Sequence, residues 1–268
     1  MKVAVGYPPL KLRHAGVPLL SQNRQYQIFH APTFIYPMVP AYAASNLKKH
    51  GYDVVWMDGI AAKQTYEEFC AQIERERVDV LMVETKSPVI KHHWETISDL
   101  KSRFPNLILV WVGDHVTYLP METLDNSPVD FIIGGGDYDF VIVNLLNHLT
   151  KGDELEGGIW FRDGNSRVKE PEKFELKTSE ADKQYRVTGP VSLKHDLDDL
   201  PFVDRDLTKW ELYAYANGNY KYFPGTYMYS GRDCWWNRCT FCVWDHTINP
   251  IGSYRSFSPK RLLDEIGH

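Results

Sequence analysis

Cys234, Cys239 and Cys242 fall within nine positions, in the run Asp233-Cys-Trp-Trp-Asn-Arg-Cys-Thr-Phe-Cys242. Cys239 and Cys242, three apart, can turn both sulfurs toward one point, and the intervening loop Trp235–Arg238 is long enough to let Cys234 join them. Cysteines grouped in this way read as a metal site. Two metals suit the spacing. A four-iron cluster on three thiolates keeps one iron open to an outside ligand, unlike four-cysteine electron carriers, so it offers chemistry as well as electron transfer. Zinc asks for a fourth donor, and His246, four residues after Cys242, would complete a Cys3His tetrahedron. Arg232 and Arg238 favour the thiolate forms and offset cluster charge, while Trp235, Trp236, Phe241 and Trp244 can exclude water. Each of these aromatics is equally at home in an ordinary core.

Such a loop needs elements to hold it. The 268 residues are 43% hydrophobic and 24% charged, enough for one large domain or two smaller ones. The net charge of -5 and a pI near 6.1 give no electrostatic footprint for nucleic acid or an anionic membrane, so the expected substrate is a small molecule or peptide. No apolar run approaches the roughly 18 to 20 residues that span a bilayer. The start, Met1-Lys-Val-Ala-Val-Gly-Tyr-Pro-Pro, is too short in its apolar part for a signal peptide. With three of four cysteines clustered rather than spread for disulfides, a reducing, cytoplasmic setting is expected. Cys70, alone in a helical pattern, reads as a core thiol.

Through about residue 150, short apolar strands alternate with amphipathic helices. Strands are expected at Lys2–Gly6, Val54–Met57, Val80–Glu84, Leu107–Val112 and Phe131–Ile133, and helices at Val39–His50, Thr65–Arg77, His92–Phe104 and Phe140–Leu149. Strands rich in Val, Ile and Leu, each followed by a helix, specify a doubly wound α/β domain with a parallel sheet. Ligands bind such sheets beyond the carboxyl ends of the strands. The loops there include Glu84-Thr85-Lys86-Ser87-Pro88, Gly113-Asp114-His115 and Gly134-Gly135-Gly136-Asp137. A triple glycine admits a large ligand to the backbone, though tight strand-to-helix turns use glycine for their own geometry. His92 and His93, at a helix start, read as solvent-facing.

From Lys151 to about Gly225 the pattern changes to a connector. Ile159–Val168 has apolar residues on either side of Asp163-Gly164 and reads as a β-hairpin. Thr226–Ser230 then reads as a strand leading into the cysteine loop. Ser258-Pro259 supplies the cap and first residue of a helix with Leu262, Leu263 and Ile266 on one face.

Taken in order, these features resemble the cobalamin-dependent radical S-adenosylmethionine (SAM) enzymes. The resemblance is carried by the amino-terminal α/β domain with Gly113-Asp114-His115 and Gly134-Gly-Gly-Asp137. It continues through the linker-like Asp196-Leu-Asp-Asp-Leu-Pro201-Phe-Val-Asp-Arg-Asp206-Leu, through Ser230-Gly-Arg-Asp-Cys234 to Cys242, and through Tyr254-Arg-Ser-Phe-Ser258-Pro259 with Asp264-Glu-Ile266. It implies a Rossmann-like cobalamin-binding domain over 1–150, a connector with a β-hairpin over 151–225, and at 226–268 the first strand, cluster loop and helix start of a truncated (β/α) barrel.

It further implies a [4Fe-4S] cluster on Cys234, Cys239 and Cys242, whose open iron chelates SAM through its amino and carboxylate groups. Reductive cleavage of SAM would give a radical, with methyl transfer from cobalamin to an unactivated carbon. Phe241 would lie near the adenine of SAM, and Thr85, Ser87, Gly113, Asp114, His115, Gly134, Gly135 and Gly136 would line the cobalamin. The electron donor would be a flavodoxin or ferredoxin.

Three departures stand beside the resemblance. The family's spacing is Cys-x3-Cys-x2-Cys, one residue shorter than here. No Asp-x-His-x-x-Gly is present, and His115 directly follows Asp114, so it is not assigned as a cobalt ligand. Residues 226–268 are far too few for a barrel, which takes about 250 residues, so a fragment of a longer protein is expected, with a truncated product as the alternative, and either is expected to be inactive alone. Two other readings stay open. One is a ligand-binding module with a structural Cys3His zinc clasp. The other is an α/β domain that binds nothing because Lys86 and Tyr138 crowd it.

Overall fold

The computed structural model describes residues 1–10, 17–20, 26–29, 34–215, 220–242, 249 and 252–268. The chain opens with β1 (Lys2–Tyr7), β2 (Val17–Leu20), β3 (Tyr26–Phe29), α1 (Met38–Lys49), β4 (Asp53–Asp58) and α2 (Tyr66–Glu76). Next come β5 (Val80–Glu84), α3 (Ile90–Arg103), β6 (Ile108–Val112), α4 (Asp114–Tyr118), α5 (Pro120–Asn126), β7 (Phe131–Ile133) and α6 (Tyr138–Lys151). The remainder contains β8 (Ile159–Arg162), β9 (Glu175–Thr178), β10 (Gln184–Val187), α7 (Glu211–Ala214), β11 (Gly231–Arg232), β12 (Arg255–Ser256) and α8 (Pro259–Gly267).

Eight strands make one sheet in the order β4-β1-β5-β6-β7-β8-β10-β9. The first five are parallel, as the α/β pattern predicts, and the last three are antiparallel. The parallel strands are apolar on both faces because both are covered. Val3 and Val5 of β1 and Val80 and Met82 of β5 pack in the cluster that includes α1 and α6, while Ala4, Leu81 and Val83 face the cluster with α2 and α3. Cys70 is buried in the second cluster, as its helical context suggests. A capping box on Thr65 and Glu68 starts α2. Among the described residues, no helix is long and apolar enough to cross a membrane.

Three local expectations are corrected. Asp163-Gly164 does not turn a hairpin back through Val168. The strand beside β8 is β10, and the hairpin of this region is β9 with β10. Val168 is apolar because it is buried in the core from a loop. Thr226–Ser230 is not a strand, for Tyr227 and Tyr229 alternate in order to pack on the core, and only Gly231–Arg232 pairs, antiparallel to β12. In α8, capped by Ser258 as expected, the buried residues are Arg261 and Glu265, whereas Leu263 and Ile266 are exposed.

At the far edge, β9 places Glu175 beside Lys177 as an ion pair. Its residues Glu175, Leu176 and Thr178 are exposed.

Candidate functional site

The chain steps from β1 outward to β4 and then back past β1 to β5, so the connections leaving β1 and β5 diverge. This point of divergence, at the carboxyl ends of the strands, is where doubly wound sheets hold ligands. Thr85, which follows β5, is fully buried, and its hydroxyl lies 2.6 Å from His93 Nδ1. Burial lowers the His93 pKa to about 3, so the ring is neutral. His93 is therefore a core residue and not the solvent-facing side chain its position beside His92 suggests. Gly113 has φ +110, and a Cβ there would lie 2.4 Å from the Thr85 carbonyl oxygen. Only glycine fits this turn. Asp114 opens α4, and His115 is held on both ring nitrogens, by Ser87 Oγ at 3.1 Å and by Glu122 Oε2 at 3.1 Å. Thr85, Ser87, Gly113, Asp114 and His115 are thus neighbours, with His115 turned toward Ser87 and Glu122.

A second polar group occupies the same end of the sheet. Tyr7 donates its hydroxyl to Glu84 at 2.5 Å, and Tyr138 donates to the other Glu84 oxygen at 3.3 Å. Tyr213 donates to Asp58 at 2.6 Å and accepts from Trp56 Nε1 at 3.2 Å. Burial pushes the Asp58 carboxyl upward, against the hydrogen bonds from Ala61, Tyr213 and Ile60. Between these groups lies a cavity of about 20 Å³ lined by Tyr7, Asp58, Glu84, Lys86 and Tyr213 among others, near the size that holds one water. From the sequence, Glu84 was placed in a ligand loop without a role of its own, and Asp58 was missed. Their signal was an acidic residue ending an otherwise apolar parallel strand, the place where ligand chemistry gathers.

The triple glycine is packed against other parts of the same chain. A Cβ on Gly135, whose φ is +84, would meet Val191 Cγ1 at 2.4 Å, and one on Gly136 would meet the Asn249 side chain at 3.0 Å. Gly134 donates its N–H to the Gly158 carbonyl, and Gly158 donates to Gly189. The connector around Gly189–Val191 thus runs as a strap along these glycines. The openness of the turn is used at least in part for this packing.

The cysteine loop begins where β11 ends. Cys234, Cys239 and Cys242 are half-buried, and a tight turn joins the last two through Cys242 N–H to the Cys239 carbonyl at 3.0 Å. Asp233 and Asn237 have φ of +66 and +46, which kinks the backbone on both sides of Trp235 and Trp236. Trp235 (74%), Trp236 (51%) and Phe241 (85%) are exposed, so they do not shield the sulfurs. Arg238 lies 5.8 Å from the Trp236 ring centroid. Among the described residues, no three His, Cys, Asp or Glu side chains are gathered as ligands of a metal ion, and His246 and Trp244 lie outside those residues. The donor set nonetheless suits a cluster by its chemistry: three half-buried cysteines on one short loop, with Arg238 close in sequence.

An ionic junction fixes this loop to the α/β sheet. Arg232 donates to Asp139 through both terminal nitrogens, one at 2.9 Å, and to Asp137 at 3.2 Å. Arg255 donates to both Asp137 oxygens at 2.7 Å. His195 lies 3.3 Å from Asp137 and 3.0 Å from Glu156, and stacks on Phe140. Burial opposes the charge on Arg232, but Asp139 and Asp137 outweigh it and hold the guanidinium protonated. Burial also pushes the Asp137 carboxyl up, yet His195, Arg255 and Arg232 together hold it below the usual carboxylate range.

Comparison with known proteins agrees with this architecture. The B12 binding domain family matches residues 28–143. An uncharacterized methyltransferase of Pyrococcus horikoshii is 23% identical, over 86% of this chain and 45% of its own length. Cytidylyl-2-hydroxyethylphosphonate methyltransferase of Streptomyces wedmorensis is 26% identical, over 98% of this chain and 53% of its own. Among solved structures, the cobalamin-dependent radical SAM enzyme OxsB superposes with a TM-score of 0.67 at 16% identity, over 99% of this chain and 31% of that one. The chain therefore spans about half the length of these curated relatives. Residues 28–143 thus match a B12-binding domain, and the fold of the chain is similar to that of OxsB.

Proposed function

We propose that this chain is the cofactor-bearing part of a cobalamin-dependent radical SAM enzyme, one that acts as a methyltransferase on a small molecule or peptide. The observation that carries the reading is a juxtaposition. A three-cysteine loop is tied by Arg232 and Arg255 to the first turn of α6, directly after the glycine turn of a B12-binding domain. When bound, the cluster with SAM supplies an electron and a radical, and cobalamin supplies the methyl group.

The residues of the chain do the rest. Cys234, Cys239 and Cys242 hold the [4Fe-4S] cluster. Phe241, exposed beside Cys242, offers a flat apolar surface for the adenine of SAM. Gly113 and Gly134–Gly136 would border the cobalamin together with Thr85, Ser87, Asp114 and His115, although the side of the triple glycine where a Cβ would stand is taken by Val191 and Asn249. His115, hydrogen-bonded at both nitrogens to Ser87 and Glu122, would stand beside the cobalamin and not serve as a ligand to its cobalt. The substrate and the electron donor, a flavodoxin or ferredoxin, would meet parts of the protein that the longer relatives possess.

Anaerobic reconstitution with iron and sulfide tests the reading. A brown protein with roughly four irons is expected, lost in Cys239→Ala, together with hydroxocobalamin retained in equilibrium dialysis. A colourless protein holding one zinc would overturn the cluster assignment. Failure to retain hydroxocobalamin would overturn the cobalamin assignment.

A further inference from the structure

Residues on both flanks of the cysteine loop reach back to the same short stretch, residues 136–139. Arg232, two before Cys234, forks onto Asp139 and touches Asp137. The same guanidinium lies 3.5 Å from the Gly136 carbonyl. Asn249, beyond Cys242, accepts the Gly136 N–H at 3.0 Å and donates to Asp233 at 2.5 Å. Arg255, which pairs with Arg232 across β11 and β12, takes both oxygens of Asp137. Both backbone polar groups of Gly136 therefore face the cysteine segment, and the two carboxylates that follow hold its arginines.

Such an arrangement does more than stabilise. A forked guanidinium–carboxylate pair sets angle as well as distance. Here both members are almost wholly buried, with the Arg232 and Asp139 side chains 5% and 0% exposed, so water cannot substitute for either. A ligand seated beside Gly134–Gly136 would lie against a turn whose Gly136 is already bonded to Asn249 and Arg232, so a shift of that turn would reach the backbone on either side of the cysteines. Conversely, a metal that drew the sulfurs together would restrain the neighbouring Asp233 and Arg232, which bond to Asn249 and to Asp137 and Asp139.

We propose that Arg232 and Asp139 are positioning residues that couple the two sites, so that occupancy of the cysteine loop by a cluster and occupancy of the glycine turn by a corrinoid strengthen one another. This rests on the functional reading above for both sites. Coupling between binding sites is reciprocal and is commonly about fivefold or more in affinity. Arg255 and His195 retain Asp137 as a partner when Arg232 is altered, so the link can be cut without dismantling the whole junction.

The experiment measures hydroxocobalamin affinity by equilibrium dialysis on the iron-free chain and on the chain reconstituted anaerobically with iron and sulfide. The iron-loaded wild type is expected to bind at least about fivefold more tightly than the iron-free form. In the pair Arg232→Met with Asp139→Leu, which replaces both charges by apolar groups of similar size, the ratio falls to one while circular dichroism is unchanged. If that pair fails to fold, Arg232→Lys carries the test. Its ammonium keeps the charge but not the fork, and an intermediate ratio is expected. A merely structural role would weaken binding equally in both forms and leave the ratio alone. The proposal is overturned by a ratio of one in a wild type that binds both cofactors, or by an unchanged ratio in a folded variant. A wild type that takes up neither cofactor overturns the functional reading and this proposal with it.

Discussion

His195 lies flat on Phe140, ring centroids 4.4 Å apart and planes 7° from parallel, with its two nitrogens directed at Asp137 and Glu156. Burial pulls its pKa down, but the two carboxylates outweigh burial and push it up to about 9. A histidine raised in this way stabilises the fold fully below its unfolded pKa of about 6.5, and the contribution is lost as pH rises through the folded value. The melting temperature is therefore expected to hold between pH 5.5 and 6.5 and to fall between about pH 6.5 and 9, by about 2–4 °C for each kcal/mol lost. In His195→Gln that slope flattens. Calorimetry across the range checks it, and an identical slope in the variant would count against the assignment.

Gly113→Ala places a methyl group 2.4 Å from the Thr85 carbonyl at a φ of +110. Backbone must move to accept it. A loss of about 1–3 kcal/mol is expected, read as a lower urea midpoint.

Tyr213→Phe removes the hydroxyl that links Asp58 to Trp56 Nε1. Two buried polar atoms then lose a partner, at a cost of about 1–3 kcal/mol each when no water replaces it. A change below half a kcal/mol in urea titration would show that water enters the neighbouring cavity.

Phe241→Ala truncates a side chain that is 85% exposed. Stability should move by no more than about 0.5 kcal/mol, whereas retention of SAM by the iron-loaded protein should weaken markedly. A large loss of stability would instead mark Phe241 as a packing residue.

The parallel part of the sheet was legible because its signal is local: apolar runs of strand length, four of the five followed by a helix-period segment, whereas the short α4 and α5 after Val112 gave no such signal. Those runs at Lys2, Val54, Val80, Leu107 and Phe131 stand in the structure with boundaries within a residue or so. The hairpin was misplaced because Asp163-Gly164 has the composition of a turn, while the strand that completes the pairing begins at Gln184, beyond the reach of any local pattern. His93 was misjudged for a similar reason. Its partner, Thr85, is close in sequence, but its burial depends on Trp111 across the sheet interface, 6.1 Å away between ring centroids.

For the site, residue type was readable and contact was not. The cysteines announced themselves by spacing, and the glycine turns by composition. That Val191 and Asn249 would settle on Gly135 and Gly136, or that Arg232 would find Asp139, could not be read from the sequence. These contacts span 93 to 113 residues for the two Arg232 and Asn249 bonds, and they depend on how the connector crosses the sheet.

The exposed margin at β9 bears on how the protein behaves at high concentration. A sheet margin with free amides is an invitation for a neighbouring molecule to add a strand, and charge along that margin discourages it. With Glu175 and Lys177 side by side there, an incoming strand would have to desolvate both ions to register against the sheet. That desolvation cost disfavours strand addition at β9, an edge of the sheet remote in strand order from the β1–β5 divergence.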